Sequence, residues 1–253
     1  MVVEVRRIIG IVSGKGGVGK TVATINLGLA LSRFDKDVTL IDADVSASNL
    51  GLQLGLYSFP KTLQDVLIGR SRIEEVMYDH LGLKLIPSSI SLDSIDANTR
   101  RLRTVLKNLS GIVLIDSPPG LSSDALAVID ACNEIIVITT PEIQTMANAV
   151  KVIHIAKEKK KAILGIVINR YKEGRYELSE EEIQTMAEVH ILGKIPEESS
   201  VKKSLFEKVP LINYDPYNKA AIEFNNLAAL LLETKYEPPK FAFFNRLLSR
   251  FKK

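Results

Sequence analysis

Unbroken runs of Ile, Val and Leu, separated by longer stretches of mixed polarity, set the rhythm of this 253-residue chain. The runs cover residues 8–12, 38–41, 83–86, 112–115, 135–139, 163–168 and 190–195. Most show no alternation of polar with apolar positions, which is the pattern of strands buried on both faces of a parallel sheet. The intervening stretches read as helices, among them residues 21–34 and a long segment ending near Glu233. Strand and helix in alternation predict an α/β fold, a doubly wound and mostly parallel sheet flanked by helices. No internal repeat or linker divides the body, so residues 1–236 read as one domain. Such sheets bind ligands at the carboxyl ends of their strands, so functional residues should follow each run.

The first run leads into Ser13-Gly14-Lys15-Gly16-Gly17-Val18-Gly19-Lys20-Thr21. A glycine, four residues, then Gly-Lys-Thr between a strand and a helix is the phosphate-loop pattern. Successive backbone N–H groups and a helix N-terminus converge on an anion there, and glycines let the backbone approach it closely. The pattern predicts a bound nucleotide, with Lys20 against the β- and γ-phosphates and the Thr21 hydroxyl on Mg²⁺. After the second run, Asp42-Ala43-Asp44 places two carboxylates at the end of a buried strand. That is costly unless a cation or a reacting water uses them. A cap on a helix starting near Ser46 is the other reading of Asp44. The fourth run ends in Asp116-Ser117-Pro118-Pro119-Gly120. Asp116 is placed to hold Mg²⁺, directly or through its water shell. The two prolines stiffen a turn that leaves the Gly120 N–H for the γ-phosphate.

An ordinary phosphate loop does not require a lysine right after its first glycine. With Lys15 in that place, Lys15-Gly-Gly-Val-Gly-Lys20-Thr21 resembles the deviant Walker A motif of the MinD/ParA superfamily. The resemblance implies an ATPase in which Lys15 reaches the nucleotide of a partner subunit, so that ATP switches homodimer formation. It implies a place for Asp42 in the Mg²⁺ shell and for Asp44 in orienting the attacking water and at the dimer interface. It assigns Gly120 to the segment that registers hydrolysis. It also implies that Asn169 and Arg170, with Pro196 and Glu197, wrap the adenine; alone, Asn and Pro at loop positions are not specific. The implied nucleotide contacts are then Gly14, Lys15, Gly16, Gly17, Val18, Gly19, Lys20, Thr21, Gly120, Asn169, Arg170, Pro196 and Glu197. The implied cofactors are ATP and Mg²⁺.

Composition narrows the classes. The net charge of +3 is too small to argue for wholesale nucleic-acid binding. Lys157-Glu158-Lys159-Lys160-Lys161 suits the negative pole of a helix C-terminus, with a DNA patch as the other reading. One cysteine, Cys132, allows no internal disulfide and fits a reducing cytosol. It also lacks the pairs that a nitrogenase-iron-protein-like reductase or a C-x-x-C iron–sulfur scaffold would need. His80, His154 and His190 lack ligand spacing. The first residues show no signal-peptide hydrophobic region, and no apolar run is long enough to span a bilayer.

Glu237-Pro238-Pro239 interrupts the last helical pattern, and residues 237–253 read as a linker and a separate segment. On a helical wheel of about 100° per residue starting at Phe241, Phe244, Leu247, Leu248 and Phe251 share one side. Arg246, Arg250, Lys252 and Lys253 share the other. At about 1.5 Å per residue this helix is too short to cross a bilayer. It is built to lie in the interface, cations toward anionic headgroups. Docking on the chain's own core is the other reading. Bacterial MinD proteins carry a membrane-targeting helix at this place, so the resemblance extends over essentially the whole chain. It implies a cytoplasmic protein, peripheral on the inner face of the cell membrane, that positions cell-division or other machinery. MinC- or MinE-like regulators are its implied protein partners. A ParA-like ATPase acting on DNA or another cargo is the alternative, although such a protein would not need four phenylalanines in its tail. A structural ATP-binding module, without hydrolysis by Asp44, is a further one.

Overall fold

Each apolar run becomes a strand whose successive side chains feed two cores, one on either side of a single sheet. In a computed structural model describing residues 6–45, 48–89, 101–172, 174 and 177–239, the strands are β1 (Arg7–Val12), β2 (Val38–Asp42), β3 (Tyr78–His80), β4 (Leu83–Ile86), β5 (Ile112–Asp116), β6 (Glu134–Thr139), β7 (Ala162–Tyr171) and β8 (Ile191–Pro196). The helices are α1 (Lys20–Ser32), α2 (Leu50–Gln53), α3 (Leu63–Leu67), α4 (Leu102–Val105), α5 (Ser123–Ala131), α6 (Ile143–Glu158), α7 (Glu180–Ala187), α8 (Ser199–Phe206), α9 (Leu211–Tyr214) and α10 (Lys219–Leu231). The described residues form one sheet in the order β3-β4-β2-β5-β1-β6-β7-β8, with only β3 antiparallel to its neighbour.

Along β1, Ile8 and Val12 join the core that α5 and α6 cover, while Ile9 and Ile11 join the core under α1 and α10. β5 divides the same way, Val113 and Ile115 on one side and Ile112 and Leu114 on the other. This two-faced burial is why the runs lack polar alternation. Helix α1 is itself packed on most sides, since it lies between the sheet and both α9 and α10. Its Gly28 lets the helix approach β2, where an added Cβ would stand 2.6 Å from Leu40 Cδ2.

Seven strands fall where the apolar runs place them. The eighth, β3, is a three-residue edge strand, and none of its residues is buried. The helix expected near Ser46 begins in the described chain at Leu50, with residues 46 and 47 outside the description. Residues 240–253, with Phe241, Phe244, Arg246, Leu247, Leu248, Arg250, Phe251, Lys252 and Lys253, also lie outside the described residues. Among the described residues no helix is long and apolar enough to cross a membrane.

Leu40 is fully buried between β2 and α1. Leu40→Ala should therefore lower stability by about 2–5 kcal/mol. Thermal unfolding should register this as a fall of roughly 4–20 °C, and a smaller change would mean that α1 closes onto the vacated space.

Candidate functional site

The register of the sheet assembles the site. Asp42 and Asp116 are direct partners across β2 and β5, and Ile11 of β1 pairs with Asp116 from the other side. The carboxyl ends of three neighbouring strands thus bring together the phosphate loop and both strand-end aspartates. The chain leaves β1 to one side and β5 to the other, with α1 and α5 on opposite faces, which opens the crevice in which such sheets bind ligands.

The loop's glycines answer specific geometric demands. An added Cβ at Gly14 would stand 2.2 Å from the Asn148 carbonyl oxygen of α6. Gly17 and Gly19 have φ of 77° and 93°, a region that side chains disfavour. Gly19 is also the N-cap of α1, with no side-chain cap of its own, so the first N–H groups of α1 have no capping partner from it. Gly16 faces Pro119, whose Cβ would lie 3.7 Å from an added Cβ. The Ser13 hydroxyl donates to the Lys15 carbonyl at 2.8 Å, and the Lys15 residue is exposed.

Lys20 is the opposite case, buried at 8% exposure. Burial pulls its pKa down, opposed by the charges of Asp116 and Asp44. The Thr21 hydroxyl donates to Asp116 Oδ2 at 2.6 Å, and among the described residues the buried Asp116 Oδ1 has no hydrogen-bond partner. Burial, and then the neighbouring Asp42, push the Asp116 carboxyl up to about 7, against the Thr21 hydrogen bond and the Lys20 charge. Thr21, Asp116 and its orphaned oxygen form a hard-oxygen donor set that fits Mg²⁺. Among the described residues no three His, Cys, Asp or Glu side chains converge on a metal position, so the remaining ligands would be water and nucleotide oxygens.

Asp42 is largely occupied by the chain itself. Its Oδ2 accepts from the Ser48 hydroxyl at 2.9 Å and from the N–H groups of Asn49 and Leu50, each at 3.1 Å. Its Oδ1 accepts from the Asp44 N–H at 3.1 Å. The Ser88 hydroxyl donates to the Asp42 carbonyl. Asp42 therefore ties the segment carrying Asp44 to the sheet. Burial raises its carboxyl to about 6 in spite of these bonds.

The Gly120 N–H, read from the sequence as left for a γ-phosphate, is not idle in this structure. It donates to the Ser13 carbonyl at 3.0 Å and is therefore engaged with the phosphate loop. A γ-phosphate would have to take that donor from Ser13.

Asn169, Arg170, Pro196 and Glu197 do converge. Together with Gly19, Val22, Val201, Lys202, Leu205 and Phe224 they line a cleft of about 170 Å³ beside the loop. Glu197 pairs with Lys172 at 2.6 Å, which holds its carboxyl below the usual range. A larger groove of about 470 Å³ runs along β8 between α7 and α10. Its lining includes neither the loop nor the aspartates, so the smaller cleft is the candidate base site. Asn148, Ser88 and the walls from α8 and α10 carried no motif, because each is brought in by packing from far along the chain.

Residues 9–211 match the CobQ/CobB/MinD/ParA nucleotide-binding domain. The chain belongs to the MinD/ParA family. It is 38% identical over 234 residues to an uncharacterised ATP-binding protein of Methanocaldococcus jannaschii, covering 90% of this chain and 89% of that protein. The septum site-determining protein MinD of Pyrococcus horikoshii, solved with Mg-ADP, superposes with a TM-score of 0.86 at 35% identity, covering 90% of this chain and 96% of that one. The MinD of the Aquifex aeolicus MinC:MinD complex gives a TM-score of 0.79 at 28% identity, covering 92% and 99%. Members of the family are ATPases, and this chain carries the MinD fold.

Both strand-end carboxyls have folded pKa values above 3.8, so the folded chain holds more protons than the unfolded one up to about pH 7. Their contribution to stability therefore grows as pH falls through that window. Asp116→Asn removes the buried charge at similar size. It should raise the melting temperature of the nucleotide-free protein by roughly 3 °C or more at about pH 8, an advantage that fades toward pH 5, while weakening Mg²⁺-dependent nucleotide binding. Scanning fluorimetry across pH checks this; a lower melting temperature at pH 8 would contradict it.

Proposed function

We propose that this protein is a MinD-like, Mg²⁺-dependent ATPase. In this reading it dimerises on ATP, attaches reversibly to an anionic membrane surface through residues 240–253, and positions cell-division or other cellular machinery. Hydrolysis releases the dimer. The observation that carries the reading is the contrast between two lysines of one loop. Lys20 is buried beside Asp116 and Asp44, whereas Lys15 is exposed. A lysine turned outward from its own site suits contact with a nucleotide held by a second subunit.

The chain's own groups divide the work as follows. Backbone N–H groups of Gly14 to Thr21 and the start of α1 bind the phosphates, and Lys20 neutralises them in a site that excludes water. Thr21 and Asp116 would hold Mg²⁺, which supplies neutralisation of developing phosphate charge. Asp44, fixed through its N–H to Asp42, orients the attacking water. The 170 Å³ cleft takes the adenine. Support for membrane attachment is the sequence of the tail, one face aromatic and aliphatic, the other cationic. A single short helix of this kind binds marginally, and two on one dimer bind far better because the second insertion is intramolecular. That makes attachment follow the nucleotide although the tail binds none. A MinC-like regulator is a candidate partner by analogy with the Aquifex aeolicus complex.

Lys15→Ala should reduce ATP hydrolysis by about 10²-fold or more while ATP binding to the monomer largely survives. Normal turnover by a monomeric variant would remove the basis for a shared site. Asp44→Ala should persist as a dimer with ATP and Mg²⁺ in size-exclusion chromatography.

Full-length protein should sediment with anionic vesicles more strongly in ATP than in ADP, and less at high salt. Deleting residues 240–253 should abolish that and leave nucleotide affinity intact. Equal sedimentation in both nucleotides would rule out the switch.

A further inference from the structure

Asn169 lies in the base cleft, yet its clearest bond is to the phosphate loop. Its Nδ2 donates to the Val18 carbonyl oxygen at 2.7 Å, across 151 residues of sequence. The Val18 carbonyl can only accept, so the amide must present its nitrogen there, which leaves Oδ1 as its remaining polar atom. The approach is tight. An added Cβ on Gly19 would stand 2.2 Å from Asn169 Nδ2, so the glycine makes room for the amide. On the strand side, the β7–β8 register shifts between Asn169 and Tyr171. Arg170 between them takes a φ of 55°, in the left-handed region that side chains rarely adopt. The irregularity of the strand end thus falls directly after the residue that reaches the loop.

The bond matters because a peptide unit is planar and trans. The Val18 C=O and the Gly19 N–H belong to one such unit and point in opposite directions. Drawing the carbonyl toward Asn169 aims the Gly19 N–H away from the base cleft, at the head of α1, where anions are bound. We propose that Asn169 is a positioning residue for the phosphate loop, fixing the orientation of the Val18–Gly19 peptide before any base arrives. This rests on the nucleotide-binding reading of the site and adds to it. The wall of the base cleft also sets how well the loop receives phosphate.

The test uses a ligand without a base. Mg²⁺-tripolyphosphate and MgATP are titrated calorimetrically into the full-length protein and into its Asn169→Ala and Asn169→Leu variants. Both changes are neutral, and the leucine keeps the volume. Melting temperatures without ligand are taken alongside. Tripolyphosphate affinity should fall about three- to tenfold in both variants, the range for one neutral hydrogen bond, with the unliganded melting temperature of Asn169→Leu close to that of the wild type. Tripolyphosphate affinity unchanged in Asn169→Leu while ATP affinity falls would confine Asn169 to the base and overturn the proposal. Wild-type protein that bound neither ligand would overturn the nucleotide reading and this proposal with it.

Discussion

Ionisable side chains taken out of water at adjoining strand ends govern this molecule. Asp42 and Asp116 are register partners on β2 and β5, and Lys20 is buried with both Asp116 and Asp44 near enough to bias its charge. Isolated charges in such a place are strongly disfavoured, and each must find compensation. Among the described residues Asp42 finds it in four donors from its own chain. Asp116 finds Thr21 and the field of Lys20, and among the described residues keeps one oxygen unbonded. The unequal settlement separates a carboxylate that organises backbone from one available to a cation.

The surrounding architecture follows from holding those groups in place. The parallel register fixes the two aspartates side by side. Gly14 lets α6 press against the loop, and Gly28 lets α1 lie close on β2. The two apolar cores sit on either side of the sheet, so neither face of β1, β2 or β5 can rotate its strand-end residue toward solvent. Preorganisation of this kind is expensive in the unliganded protein, and it is what a phosphate site requires.

Much of this was legible in the sequence. The seven apolar runs become seven strands because burial on both faces leaves an unbroken hydrophobic signature, and the phosphate loop announces itself through glycines whose conformations are local needs. The edge strand β3 was not legible, because Tyr78-Asp79-His80 is held by pairing with β4 and carries no apolar signal. Nor was the Asn148 backbone against Gly14, or Asn169 against Val18, because each joins segments that only the finished sheet brings together. The Gly120 N–H was legible as a donor at the right turn, but its present acceptor was not. A backbone carbonyl such as that of Ser13 has no sequence signature.

That Gly120–Ser13 bond has a bearing on how the chain would tell a triphosphate from a diphosphate. A donor already satisfied gains only the difference between two acceptors when it changes partner, far less than an idle donor gains on finding one. If Gly120 meets the last phosphate as proposed, recognition there would work by exchange. Losing that phosphate leaves no orphaned N–H behind, since Ser13 is there to take it back. The free-energy gap between the two liganded states would then stay narrow at this position, which would suit the proposed cycling between them without stranding the chain in either.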